Sequence, residues 1–248
     1  MEYIIKKTTS SLGNLIIKPV NKQLAKELII KNHYSHKWNN AGFGVFNFGI
    51  FKEEAPDLCL GVAVYGYLKN QNSQMFEHPN PEGWMCELNR MWIDDVLGMN
   101  AETVLIGASI KLLRRMDKNL VAVQSFADGR LGCGTIYKAA NFRYYGYHYT
   151  RFVVNQRTGE VTHEQTLTNT TNTTGYVRAN ISYLCGDFKT YQVKTHRYIY
   201  PLSKGFKFVR AEVPYPEYSK GMNEIFWQRD VSKIKENIIS LLDKIPQR

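Results

Sequence analysis

Four residue types occur where chemistry could be done. His33 lies in N-H-Y-S (residues 32–35) beside Tyr34, with a second histidine at His36. An imidazole joined by a carboxylate such as Asp128 is a donor set suited to a borderline cation such as Fe(II); a capping or surface histidine is the plainer alternative. Asp128 opens the glycine-rich stretch D-G-R-L-G-C-G (128–134) at the end of an apolar run. That is a usual place for a catalytic group in an open α/β sheet, and equally a place for an Asx turn. Tyr137 follows one helical turn later, where it could protonate a leaving group, hold a substrate or pack in a core. Arg90 stands in W-M-C-E-L-N-R-M-W-I (84–93), a cation in an apolar strand. If buried it needs a partner, and Glu87 or an anionic substrate could supply one.

A second group of residues suits a polyanion. R-Y-Y-G-Y-H-Y-T-R (143–151) and K-T-H-R-Y-I-Y (194–200) interleave basic and aromatic side chains, with Arg143, Tyr145, Arg151, Lys194 and Arg197 as the candidate contacts. Basic groups answer phosphate, and aromatic faces answer a base extruded from its stack. Two amphipathic strands with solvated basic edges would give the same pattern. Over all 248 residues, 32 Lys+Arg against 22 Asp+Glu leave a formal charge of +10, spread over both halves. That charge suits a nucleic-acid partner without requiring one.

These residues need a scaffold. A hydrophobic content of 44% against 22% charged residues is ample for a core and unlike a disordered chain. No run approaches the ~18 apolar residues of a membrane span, so a soluble protein with no membrane partner is expected. The four cysteines, Cys59, Cys86, Cys133 and Cys185, are never in C-x-x-C spacing and read as reduced core residues.

Hydrophobic periodicity predicts a strand at 14–20 and a helix capped by Asn21. A hairpin of strands at 42–51 and 59–67 follows, then a strand at 84–93. Asn100 is predicted to cap a helix over 101–116. Beyond it come a strand at 120–126, a short helix at 135–140 and a long aromatic strand at 143–154. The result is an α/β (α+β) arrangement, a mixed sheet with helices on its faces. Residues 155–174 read as a polar loop, with the Asn-x-Ser/Thr triplets at Asn169, Asn172 and Asn180 taken as loop polarity; a strand spans 189–201 and an amphipathic helix 230–245. A core over 1–154 with an extension over 155–248 packed on it is expected.

The element order, with small residues before Tyr137 and a turn to Asn141-Phe142, resembles the GNAT acyltransferase superfamily. The fuller string from Gln124 to Gly146, with E-L-N-R (87–90), N-H-Y-S (32–35) and T-H-R-Y-I-Y-P-L (195–202), is similar to the Mom family of phage DNA-adenine modification proteins. The resemblance implies a transferase that adds a small carbamoylmethyl group to N6 of adenine in double-stranded DNA, in the cytoplasm of an infected bacterium, as an anti-restriction device. It also implies iron (Fe2+), with His33, Tyr34 and Asp128 as candidate metal ligands, and Tyr137, Arg90, Ser109 and Asp128 as candidate catalytic residues. A homodimer is compatible with it. The donor stays open. The stretch before the 101–116 helix holds one glycine where acetyltransferases place the Q/R-x-x-G-x-G/A turn that cradles the CoA pyrophosphate, so acetyl-CoA and another donor are both carried forward. A CoA-dependent N-acetyltransferase of a small amine or protein, and a non-catalytic DNA-binding protein with a GNAT-like fold, are the alternatives.

Overall fold

The computed structural model describes residues 3–68, 75–164, 188–217, 224–226 and 231–242. Alternating apolar side chains near the start build an antiparallel ladder in which β1 (Ile5–Thr9) pairs with β2 (Gly13–Pro19), β2 with β3 (Phe46–Lys52), and β3 with β4 (Gly61–Tyr67). β1 was not expected from the sequence, and β3 starts later than its phenylalanines suggested, because Gly44 at φ +77° turns the chain before it. Helix α1 (Lys22–Asn32) begins as predicted, the Leu24 N–H donating to Asn21 Oδ1 at 2.8 Å.

Strand β6 (Trp84–Ile93) pairs antiparallel with β4, and β7 (Leu120–Asp128) runs parallel to β6. A parallel pair needs a crossover, here the helix α2 (Ala101–Met116). α2 has the expected length but not the expected cap. Asn100 is left-handed at φ 72° and its side chain makes no capping bond; Asp94 instead caps the preceding 3-10 turn Asp95–Leu97 by accepting from Val96 N.

Side chains of β4 show how the layers stack. Ala63 and Tyr65 join α2 residues Leu105 and Leu112 in the main core, while the alternate residues Val62 and Val64 join Ala25 and Ile29 of α1. Helices therefore lie on both faces of a mixed sheet, the class read from the sequence.

The chain divides into two compact units. The first comprises Met1–Ala127, Gly134–Gly146 and Arg197–Glu217. Its strands run β1-β2-β3-β4-β6-β7, followed by the 197–201 end of β10 (Phe188–Pro201) and the 143–146 end of β8 (Arg143–Asn155). It also holds the short helix α3 (Thr135–Ala139) and a two-stranded ribbon of β5 (Phe76–Glu77) and β11 (Lys207–Phe208) that the sequence pattern did not reveal.

The second unit comprises Asp128–Cys133, Tyr147–His196 and Tyr218–Arg248. β9 (Val161–His163) pairs there with β8, inside the stretch read as loop, and β12 (Glu224–Phe226) pairs with β10. Phe152, Tyr191 and Val193 form its small core. The terminal helix, α4, is described over Val231–Leu242. Residue 154, where the change from core to extension was expected, lies near the end of β8. Asn169, Asn172, Asn180 and Cys185 lie outside the described residues, as do the outer ends of the predicted 230–245 helix. Cys59, Cys86 and Cys133 are free thiols, the last two buried. Among the described residues no helix is long and apolar enough to cross a membrane.

Candidate functional site

A register fault in β6 builds the centre of the first unit's polar cluster. Val64 pairs with Arg90 and the next residue, Tyr65, pairs with Leu88, so Asn89 is left without a Cα partner on β4. This is a β-bulge, which shifts the phase of a strand and re-aims its side chains. Before the bulge Cys86 and Leu88 face the α2 core; after it Met91 and Ile93 do. Glu87 and Arg90 thereby share the opposite face, although three residues apart. Bare glycine backbone lets the chain close over the bulge: a Cβ on Gly66 would stand 1.9 Å from Gly42 O and 2.4 Å from Asn89 Oδ1.

Arg90 is the hub. One guanidinium nitrogen donates to Asn89 O at 2.6 Å, the charge lies 4.9 Å from the Phe43 ring centroid, and buried Nε has no partner. Burial lowers its pKa from the ordinary value, while the fields of Tyr34, Glu87 and Tyr137 act to raise it. Residues from α1's end, β6 and α3 thus act on a single cation. The Glu87 carboxylate accepts from Gln124 Nε2 at 3.2 Å and from Asn89 Nδ2 at 3.4 Å. Burial pushes its pKa up, against those two bonds and the charges of Arg90 and Arg197.

His33 ends α1, its backbone N–H bonded to Ile29 O, and its ring is buried. Ser35 fixes the ring: its Oγ lies 2.8 Å from His33 Nδ1 and its backbone N–H donates to the same nitrogen at 3.1 Å. With Nδ1 accepting from that N–H, the ring proton is on Nε2. Burial, then Arg90, then His36 lower its pKa to about 4, so the imidazole is neutral near pH 7. Tyr34 lies tilted against it at 4.2 Å between centroids and is exposed.

Tyr137 is held by Phe142 and Tyr198, with centroids 5.6 and 5.2 Å away, and by the Ser125 hydroxyl. Burial raises its pKa to about 12, so the phenol keeps its proton. Left-handed Gly134, at φ +85°, lets the ring approach, since a Cβ there would sit 3.0 Å from Tyr137 and 2.7 Å from Tyr198. Ser109 is fully buried on α2 and its hydroxyl donates to Leu105 O at 2.7 Å.

The candidate DNA contacts divide between the units. In the first, Arg143 lies 3.7 Å from Glu212, and Tyr145 is buried edge-on to Phe208 at 5.0 Å. Arg197 lies over Phe126 and Phe208 and shares its field with Glu87. In the second, Lys194 lies 4.6 Å over the Tyr147 ring, Tyr147 packs on Tyr149, and both tyrosines are exposed. Arg151 meets Glu164 at 3.6 Å. Tyr145, a candidate contact, is buried against Phe208, whereas Tyr147 and Tyr149, two and four residues on in the same alternation, are exposed; what covers each ring, and not its place in the alternation, makes the difference.

Of the candidate ligand set of His33, Tyr34 and Asp128, the first two lie side by side at the end of α1 in the first unit. Ser35 engages His33 Nδ1 through both its N–H and its Oγ; in the tautomer with the proton on Nδ1 the Oγ would accept it and Nε2 would be free for a metal. Asp128 belongs to the second unit, where Arg130 holds it: Nε donates to both carboxylate oxygens at 3.0 Å and a terminal nitrogen adds a further bond. Arg130 is anchored in turn 3.9 Å over Phe152. Among the described residues no three His, Cys, Asp or Glu side chains gather as a metal group.

Glu87, Asn89 and Gln124 were not singled out as site residues. Their signal is E-x-N in one strand opposite Q in the next, readable only once the parallel pairing Glu87↔Gln124 is known.

A model of the Mom protein family matches residues 14–220. The chain is 35% identical over 156 residues to the methylcarbamoylase mom of Escherichia phage Mu, a match covering 62% of this chain and 61% of that protein, less than two thirds of the relative's length. Among solved structures, a protein assigned to the GNAT acetyltransferase family from Desulfovibrio desulfuricans aligns over 76% of this chain and 99% of its own, at 10% identity and a TM-score of 0.40. An Arabidopsis thaliana protein crystallised with acetyl-CoA aligns over 75% and 99%, at 9% identity and a TM-score of 0.45.

Proposed function

Because this chain belongs to the Mom protein family, we propose that it is a transferase that adds a small carbamoylmethyl group to N6 of adenine in double-stranded DNA, protecting phage DNA from restriction inside the host cell. The methylcarbamoylase name of the phage Mu relative supports the reaction class. The observation that carries the reading for this chain is the convergence of Tyr34, Glu87 and Tyr137 on the fixed cation of Arg90, with His33 in the same field.

Each group has a role there. Arg90 presents a planar fork suited to hold a carbonyl or carboxylate of the donor, and partial burial strengthens that interaction. Tyr137, protonated at neutral pH, can donate to the departing group. His33, neutral and fixed through Nδ1 by Ser35, has in its Nε2–H tautomer a further uncharged donor for an oxygen of the substrate. Stacked adenine hides N6 from a half-buried cluster of this kind, so the base must leave the helix, and the exposed Tyr147–Tyr149 pair with Lys194 offers a basic and aromatic surface for the strand.

Expression of the chain in a bacterial host, followed by nucleoside mass spectrometry of the digested DNA, tests the reading. A modified deoxyadenosine carrying the carbamoylmethyl group is expected; unmodified deoxyadenosine throughout would overturn it. CoA-dependent acetyl transfer is the second reading, favoured by one observation: the first turn of α2 has no side-chain cap, which leaves N–H groups available to an anion.

A further inference from the structure

Two buried amides in the first unit are incompletely satisfied. Asn89 and Gln124 each direct their N–H2 group at the Glu87 carboxylate, and in each the amide oxygen is buried with no hydrogen-bond partner. Asn89 is 7% exposed and Gln124 3%. Leaving a buried acceptor without a donor is costly, so a pair of them around one carboxylate is not a packing convenience. Both amides are oriented by that carboxylate, because reversing either would set oxygen against oxygen. Glu87 is less buried than the two amides behind it, and it shares its face with Arg90.

We propose that Glu87 is the proton acceptor of the reaction, positioned by Asn89 and Gln124, and that the amide oxygens now lacking donors are the acceptors for the carboxyl proton once it has been taken up. This rests on the reading of the protein as an amine-modifying transferase and adds the group that activates the amine. An exocyclic amino group conjugated to a purine ring is a poor nucleophile and must shed a proton as it reacts. Its nitrogen forms the bond to the electrophilic carbon of a donor bearing a leaving group; that group departs with the bonding electron pair, and the amine proton passes to a Glu87 oxygen. Rotation of either amide then turns its oxygen toward the new O–H, which replaces an N–H···O bond by O–H···O and satisfies the orphaned acceptor.

The electrostatics agree with this assignment. Burial raises the Glu87 pKa, which makes the carboxylate a better base, while Arg90 on its own strand, Arg197 from β10 and the two amide N–H groups hold it ionised in the resting state; the Tyr137 phenol from α3 and the Cys86 thiol also lie within its field.

The test is the pH dependence of adenine modification by the full chain, read by nucleoside mass spectrometry, for wild type, Glu87→Gln, Glu87→Asp and Gln124→Leu. Glu87→Gln keeps the shape of the side chain and removes the base, so modification should fall at least ~100-fold at every pH, with duplex binding and melting temperature retained. Glu87→Asp, which withdraws the carboxylate by one methylene, should keep partial activity. Gln124→Leu removes a bond that lowers the Glu87 pKa, so the acid limb of the rate profile should move to higher pH, a shift that a purely structural role would not produce. Wild-type modification with an equally active Glu87→Gln, or an acid limb unmoved in Gln124→Leu, overturns the proposal and leaves the reading of function standing. A wild type that modifies no adenine at any pH overturns both.

Discussion

Glu87 and Arg90 lie three residues apart on one strand yet present to the same face of the sheet, because the unpaired Asn89 between them reverses the alternation of β6. A carboxylate and a cation are so placed together without a loop to carry them, on a strand whose other side is committed to the α2 core. Rigid elements hold a site more precisely than loops do.

Gly66 is the residue that permits the bulge to be covered. Gly66→Ala would drive a methyl group to 1.9 Å from Gly42 O, a backbone atom that cannot rotate away. A loss of at least ~2 kcal/mol in denaturant unfolding is expected. Gly107→Ala is the control: nothing lies within 4 Å of its Cβ position on α2, so that variant should match or exceed wild-type stability by up to ~1 kcal/mol.

His33 makes stability depend on pH with a defined sign. Its folded pKa is about 4 against an ordinary value of 6.5, so between these values the unfolded chain binds the proton and the folded chain does not. Its contribution is complete above pH 6.5 and is lost as pH falls from 6.5 toward 4, reaching about 2 kcal/mol by pH 5. Urea unfolding of wild type and His33→Gln at pH 7, 6 and 5 checks this. The wild type should lose more stability than the variant on acidification; parallel curves would show that the imidazole is not held neutral.

Tyr137 separates chemistry from packing. Tyr137→Phe removes one hydroxyl and keeps the contacts with Phe142 and Tyr198. Modification should fall by about 10–1,000-fold with the melting temperature nearly unchanged. Melting lowered by several degrees with full modification would make the tyrosine a core residue.

Lys194 and Tyr147 test the strand surface of the second unit. Duplex affinity of the wild type should fall steeply with salt, and Lys194→Ala should lower the slope of log K against log salt by roughly 0.9, one phosphate contact. Tyr147→Ala should weaken binding with the slope unchanged, as for a stacking residue. A wild-type affinity insensitive to salt would count against a phosphate-tracking surface.

Much of this scaffold could be read from side-chain types. Asn21 announced α1, the ten residues of β6 were bounded correctly by their own apolarity, and the Gly134–Tyr137 stretch marked a close turn. Motifs mark Arg90, His33, Tyr34 and Tyr137, and the last three lie within electrostatic reach of Arg90. What escaped was set by pairing. Nothing in E-L-N-R reveals that Asn89 is the bulge, so period-two reasoning puts Arg90 on the Leu88 face, and the Glu87–Gln124 contact needs the β6–β7 register. The Asn100 cap failed for a local reason, since a left-handed residue aims its side chain away from the helix it precedes. Asp128 makes the Asx-turn bond to the Arg130 N–H and a further bond to its guanidinium, a local partner that its place before a glycine-rich turn foretold.

The most direct measurement of the account is the modified deoxyadenosine content of DNA from cells expressing wild type or Arg90→Lys, alongside the melting temperature and duplex affinity of each purified protein. Lysine keeps the charge over Phe43 but loses the planar fork and the Nε donor. The account predicts abundant modified adenine for wild type and at least a ~10-fold loss for Arg90→Lys, with folding and DNA binding intact. Equal modification by the two proteins would contradict an Arg90-centred site, and no modified adenine from either would contradict the function itself.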